Sequence, residues 1–76
     1  MEHTQFLDLR GLGCAEPIVR LSAALKNMPP GTVLLAESDR AAMRKDIPAF
    51  CVRTRHELIR AEEAGELLRF WIRRKS

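Results

Sequence analysis

The 76-residue sequence has no tyrosine, one tryptophan, three phenylalanines and two cysteines. Each scarcity excludes something. Proteins that hold single-stranded nucleic acid stack bases on several exposed rings along a basic groove. Here the one ring whose strand alternation points outward is Trp71, so direct nucleic-acid binding is not expected. The two cysteines do not form a Cys-x-x-Cys pair, and with the two histidines they lack the spacing of a zinc site, so neither a metal nor another cofactor is expected. No apolar run approaches the roughly 18 residues of a membrane helix. The opening stretch MEHTQFLDLR carries neither the basic start nor the apolar centre of an export signal. Together these absences predict a cytoplasmic protein without a membrane partner, whose thiols stay free in a reducing compartment.

What is present describes a small globule. Apolar residues make up 46% and charged residues 30%, which is neither disordered nor membrane-like. The whole chain, 1–76, is expected to form one domain. A chain this short buries only about 60–65% of its unfolded surface and cannot roof a substrate cavity with a second domain. Its chemistry should be shallow or shared with a partner. The net charge of +3 and pI of about 9.4 are mildly basic, short of a dedicated nucleic-acid binder.

The pattern along the chain reads β-α-β-α-β-β. Residues 4–10 alternate as a strand and end at Gly-Leu-Gly. From Glu16 the period becomes helical, with Ile18, Leu21, Leu25 and Met28 on one face, and Pro17 tolerated in the first turn. Pro29-Pro30-Gly31 stops that helix. Residues 32–38 form an apolar, β-branched run read as a buried strand. Met43, Ile47, Phe50 and Cys51 share a second helical face, with Pro48 predicting a start near Ile47 or a break there. Two strand-like runs then flank a turn at residues 63–66, with Arg69, Trp71 and Arg73 directed to a partly exposed sheet face. The expected fold is an α/β two-layer sandwich: a four-stranded mixed sheet with two helices on one face, its first two strands parallel.

Cys14 is the residue with chemistry to offer. It sits where a helix begins, and unpaired N–H groups and the positive end of the helix dipole favour a sulfur anion there. Gly11 and Gly13 leave the approach open. Glu16 opposes an anion if it faces the sulfur, whereas Arg20, four residues on, can draw its charge along the helix. A small half-buried filler is the commoner role for a cysteine. His3 and His56 lie far from Cys14 in sequence, so a Cys-His catalytic pair has little support.

With these residues in place, the chain resembles the TusA/SirA-like family of small sulfur-carrier proteins. The resemblance runs from about Leu7 to Lys75, through LDLRGLGCAEP, DRAAMRKDIPAFC, RHEL and the closing RFWIRR. Asp8, Gly11, Cys14 and Pro17 match the family's Asp-x-x-Gly-x-x-Cys-Pro-x-Pro mark, and Asp46-Ile47-Pro48 its second motif. Ala15 replaces the first motif proline, and Ser22 and Ala23 replace basic residues of the first helix. The resemblance implies the sandwich fold and a sulfurtransferase-type carrier rather than a stand-alone turnover enzyme. It implies that Cys14 accepts sulfane sulfur as a persulfide, with Gly11, Gly13, Glu16, Pro17, Arg20 and Asp46 in support. The donor would be a cysteine desulfurase or a rhodanese. The acceptor protein would serve tRNA thiolation, molybdenum-cofactor assembly or sulfur oxidation.

The remaining motif residues read more plainly. Asp39 and Asp46 are expected to cap the second helix and the turn before Ile47-Pro48. His56 is expected to be structural or exposed, Cys51 to be core, and the basic tail to be a solvated end. The competing function is a non-catalytic protein- or RNA-binding regulatory module on the same fold.

Overall fold

The computed structural model describes residues 2–76. Six elements follow in chain order: β1 (Gln5–Asp8), α1 (Glu16–Lys26), β2 (Val33–Ser38), α2 (Met43–Thr54), β3 (Glu57–Ala64) and β4 (Leu67–Arg73). The four strands form one sheet in the order β1-β2-β4-β3. β1 and β2 are parallel, and β4 is antiparallel to both of its neighbours. This is the expected two-layer α/β arrangement. β1 is shorter than the predicted 4–10, because after Leu9 the chain turns away under the side chain of Asp8, which accepts the Arg10 N–H at 3.0 Å.

One sheet face and both helices enclose the core. Leu34, Ala36, Leu68, Phe70 and Ile72 from the sheet pack with Leu21 and Leu25 of α1 and with Met43, Ile47, Phe50 and Cys51 of α2. Alternation places those strand residues on the same side, and the helical period gathers the others. α2 departs from expectation. It begins at Met43 and runs through Pro48 without ending. Proline there removes the N–H that would bond the carbonyl of Arg44, but Met43, Ile47, Phe50 and Cys51, on both sides of Pro48, are buried and hold the helix to the core. Gly65, at φ +63°, opens the two-residue turn between the paired Ala64 and Leu67.

The second sheet face has no helix over it, yet it is not simply exposed. Phe6, Leu35, Trp71 and Arg60 stand in one row across the four strands. Leu35 and Arg60 flank Trp71, and the Arg60 guanidinium lies 5.9 Å from the centre of the indole ring. Trp71 is therefore 6% exposed, not the outward aromatic that alternation alone predicts, and its Nε1 finds no acceptor among the described residues. Phe6, at the open end of the row on β1, remains 47% exposed. The next rows are closed by ion pairs: Arg69 to Glu37 at 2.7 Å, and Arg73 to Glu57 at 2.8 Å.

Candidate functional site

Because β1 and β2 are parallel and each leads into a helix, the starts of α1 and α2 lie at the same end of the sheet. Cys14 is in the first of these two connections. The connection is anchored at both ends. Leu9 is fully buried, and its N–H donates to the carbonyl of Glu37 at 2.7 Å. Pro17, in the first turn of α1, is buried in the core. Sequence treats Pro17 as merely tolerated, whereas the structure makes it the anchor that seats the helix start.

Between these anchors the backbone turns tightly. Gly11 has φ +78°, and its N–H donates to Oδ1 of Asp39 at 3.1 Å. Asp39 thus ties the two connections together. It does not cap α2, whose N-cap position is Ala42 and receives no side-chain bond. Asp46 does not cap a turn either. It is an exposed residue in the first turn of α2, where a carboxylate complements the helix dipole. Asp46 shares the Cys14 end of the molecule, and among the described residues its carboxylate makes no hydrogen bond or ion pair.

Cys14 itself is exposed and has φ +54°. The left-handed region costs a non-glycine residue about 1–3 kcal/mol, and such strain gathers at functional positions. Ala15 is the N-cap of α1, at φ −83° and ψ −3°, and offers no side-chain cap. The Glu16 N–H is taken by the Gly13 carbonyl at 3.2 Å, and the Val19 N–H by the Ala15 carbonyl at 3.1 Å. Pro17 has none to give, and among the described residues the N–H groups of Leu12, Gly13, Cys14, Ala15 and Ile18 donate to no partner. Cys14 therefore lies in a stretch whose backbone donors are not committed elsewhere.

The supporting residues divide. A Cβ on Gly11 or Gly13 would meet no atom within 4 Å, so the space over the loop is open to another molecule. Glu16 is engaged by Arg20, whose Nη2 and Nε donate to Oε2 at 2.9 and 3.2 Å, which draws the carboxylate along the helix. Asp8 binds the Arg10 guanidinium at 3.0 and 3.1 Å, and these bonds hold its carboxyl below the ordinary range. The pairing of Asp39 with Gly11 was not legible in sequence, since its partner lies 28 residues away.

The second thiol is different in kind. Cys51 is buried in the core, and burial pushes its pKa up to about 11, so it stays protonated and inert at neutral pH. The two cysteines are free rather than bridged. His56 stacks on Phe50 with ring centres 6.1 Å apart, and its Nδ1 accepts the Lys75 N–H at 3.1 Å, so it is structural, as expected. Arg74 is more than a solvated tail: its Nε donates to the Leu25 carbonyl at 2.7 Å. Among the described residues no cluster of acidic, cysteine and histidine side chains could hold a metal, and no helix is long and apolar enough to cross a membrane.

Comparison with known proteins agrees with this geometry. The family model described as sulfurtransferase TusA matches residues 5–74. The sulfur carrier protein TusA of Pseudomonas fluorescens (strain SBW25) is 39% identical over 70 residues, which cover 92% of this chain and 84% of that protein. The sulfur carrier protein TusA of Pseudomonas aeruginosa (strain UCBPP-PA14) is 42% identical over 71 residues, covering 92% and 89%. A SirA-like protein from Desulfitobacterium hafniense has the same fold, with a TM-score of 0.79 at 18% identity over 96% of this chain and all of that one. A match over nearly the whole chain, around a strand-glycine-cysteine-helix connection of this form, shows that the chain belongs to the TusA family.

Proposed function

We propose that this protein is a sulfur carrier whose Cys14 holds sulfane sulfur as a persulfide between a donor and an acceptor protein. The observation that carries the reading is an exposed, free thiol in a strained connection at the start of α1, with unengaged backbone N–H groups around it. The Cys14 thiolate attacks the terminal sulfur of a donor persulfide, and the donor's thiolate leaves. The new outer sulfur on Cys14 is then attacked by an acceptor thiolate, and the Cys14 thiolate leaves. Each step forms one S–S bond and breaks one, so no outside oxidant or reductant is needed.

Gly11 and Gly13 keep the approach clear, Pro17 seats the helix, and Arg20 holds the Glu16 carboxylate so that it repels the sulfur anion less. Asp46, free and exposed at the same end, is a contact for a partner docking over Cys14. A cysteine desulfurase or a rhodanese fits as donor. A protein of tRNA thiolation, molybdenum-cofactor assembly or sulfur oxidation fits as acceptor. The exchange belongs in the cytoplasm, where both thiols stay reduced. The single domain acts as a shuttle rather than a turnover enzyme. A non-catalytic RNA-binding module is disfavoured, because Trp71, the ring that reading needs, is buried.

Incubation with a cysteine desulfurase and cysteine, followed by intact mass measurement, tests the proposal. The folded protein should gain one sulfur atom, Cys51→Ser should gain it equally, and Cys14→Ser should gain none. A Cys14→Ser protein that still loads sulfur sinks the assignment.

A further inference from the structure

Sulfur transfer uses the end of the molecule where β1 and β2 run out. At the opposite end, the finishing turns of α1 and α2 and the stretch after β4 surround a depression of about 310 Å³ lined by Ser22, Lys26, Thr54, His56, Arg74 and Lys75. Three of these side chains are cations at neutral pH, two carry hydroxyls, and no carboxylate is among them. The nearby Glu57 is engaged by Arg73 at 2.8 Å.

The cluster is built rather than frayed. Arg74 is fixed by its backbone N–H to the Thr32 carbonyl at 2.8 Å, by its carbonyl to the Gly31 N–H at 2.8 Å, and by its Nε to the Leu25 carbonyl at 2.7 Å. Its Nη1 donates to the Lys75 carbonyl at 2.8 Å. His56 is fixed by Phe50 on one side and by the Lys75 N–H on its Nδ1. A neutral imidazole that accepts through Nδ1 carries its proton on Nε2, which is then a donor.

The local field is positive. Burial, then Arg74 and Lys75, push the pKa of His56 below its ordinary value. The two helix C-termini oppose this with roughly half a negative charge each. Three full cations outweigh them, and two of the carbonyls there are already engaged, Leu25 by Arg74 and Phe50 by the Thr54 hydroxyl. The volume lies at the lower limit of small-molecule sites, about 300 Å³. It suits one tetrahedral anion with a small group attached, and its lining holds no Phe, Tyr or Trp, the one ring being His56, already stacked on Phe50.

We propose that this depression binds the phosphate group of a small phosphomonoester. Lys26, Lys75 and Arg74 supply the charge, and the Ser22 hydroxyl and the His56 Nε2–H supply directional donors. The site does not depend on Cys14, so a Cys14→Ser protein retains it.

The test is an NMR titration of the full chain at low ionic strength with inorganic phosphate and with glycerol 3-phosphate, against chloride at matched ionic strength. Saturable shifts confined to the lining residues are expected from the two phosphates and not from chloride. Sulfate, which keeps both charges across the pH range, should raise the pKa of His56, because a dianion favours the imidazolium. His56 would feel Lys26, Arg74 and Lys75 around it, with Thr54 and Phe50 from α2, so the rise reports the anion among these groups. The Lys26→Gln/Lys75→Gln double variant, whose altered side chains make no hydrogen bond among the described residues, should bind phosphate at least about tenfold more weakly with thermal unfolding unchanged. Equal shifts with chloride overturn the proposal, as does unchanged affinity in the double variant. Binding of a single-stranded RNA at these residues without binding of either phosphate also overturns it, in favour of a nucleic-acid surface.

Discussion

The backbone N–H of Gly11 donates to Oδ1 of Asp39 at 3.1 Å, joining the connection that carries Cys14 to the one that precedes α2. Asp39→Ala should cost about 1 kcal/mol of stability. It should also speed hydrogen exchange at the Gly11 amide and slow sulfur transfer several-fold by freeing the loop. Asp39→Asn keeps an oxygen acceptor and should recover most of both. Unchanged Gly11 exchange in Asp39→Ala would contradict this role.

The two thiols should behave oppositely toward an alkylating reagent. Cys14 is exposed, whereas Cys51 is buried with its pKa pushed up to about 11. Native protein should take up one equivalent, at Cys14, and the second only as it unfolds. Mapping the label by peptide mass after partial reaction checks this, and early labelling of Cys51 would refute it.

Ala15→Pro should alter Cys14 more than the helix. Ala15 has φ −83°, near the proline value, and its N–H is unengaged, so the substitution itself fits. The residue before a proline, however, is driven toward extended backbone, and Cys14 sits at φ +54°. The variant should keep its helix content by circular dichroism while the Cys14 backbone chemical shifts move to extended values and its alkylation rate changes. Retained left-handed shifts at Cys14 would refute the prediction.

Stability should fall as the solution is acidified past His56. Its folded pKa is below the unfolded value of 6.5, from burial and from the Arg74 and Lys75 charges. Above 6.5 both states are neutral and His56 contributes nothing to pH dependence. As the pH drops below 6.5 the unfolded state takes the proton first, and the loss is complete once the pH is below the folded pKa. Protonation also ends the Nδ1 acceptance from the Lys75 N–H. Urea unfolding across this range should show the decline in the parent protein and a flatter profile in His56→Gln.

Trp71→Phe should be nearly neutral, within about 1 kcal/mol, because the lost ring area is offset by removal of an N–H that is buried without an acceptor among the described residues. Ile72→Ala, one residue away on the helix-facing side and fully buried, should cost about 2–5 kcal/mol. Denaturant unfolding followed by circular dichroism compares them, and an equally large loss in Trp71→Phe would show that its N–H is satisfied.

The sequence by itself determined the element order, the face the last strand turns to the helices, and the cysteine at a glycine-rich helix entrance. These follow from periods of two and 3.6 residues and from turn chemistry, which are local. The core-facing residues of the two helices, Leu21, Leu25, Met43, Ile47, Phe50 and Cys51, were legible for the same reason. Tertiary structure decided what depends on neighbours distant in sequence. α2 passes through Pro48 because Met43 and Ile47 before it and Phe50 and Cys51 after it are buried in one core. Asp39 serves Gly11 rather than a helix end because parallel pairing of β1 and β2 sets their two exits side by side. Trp71 is buried on a helix-free face because three other strands bring Phe6, Leu35 and Arg60 into its row. The left-handed backbone of Cys14 likewise follows from fixing Leu9 and Pro17 in the core on either side of it, a closure constraint that no short stretch of sequence records.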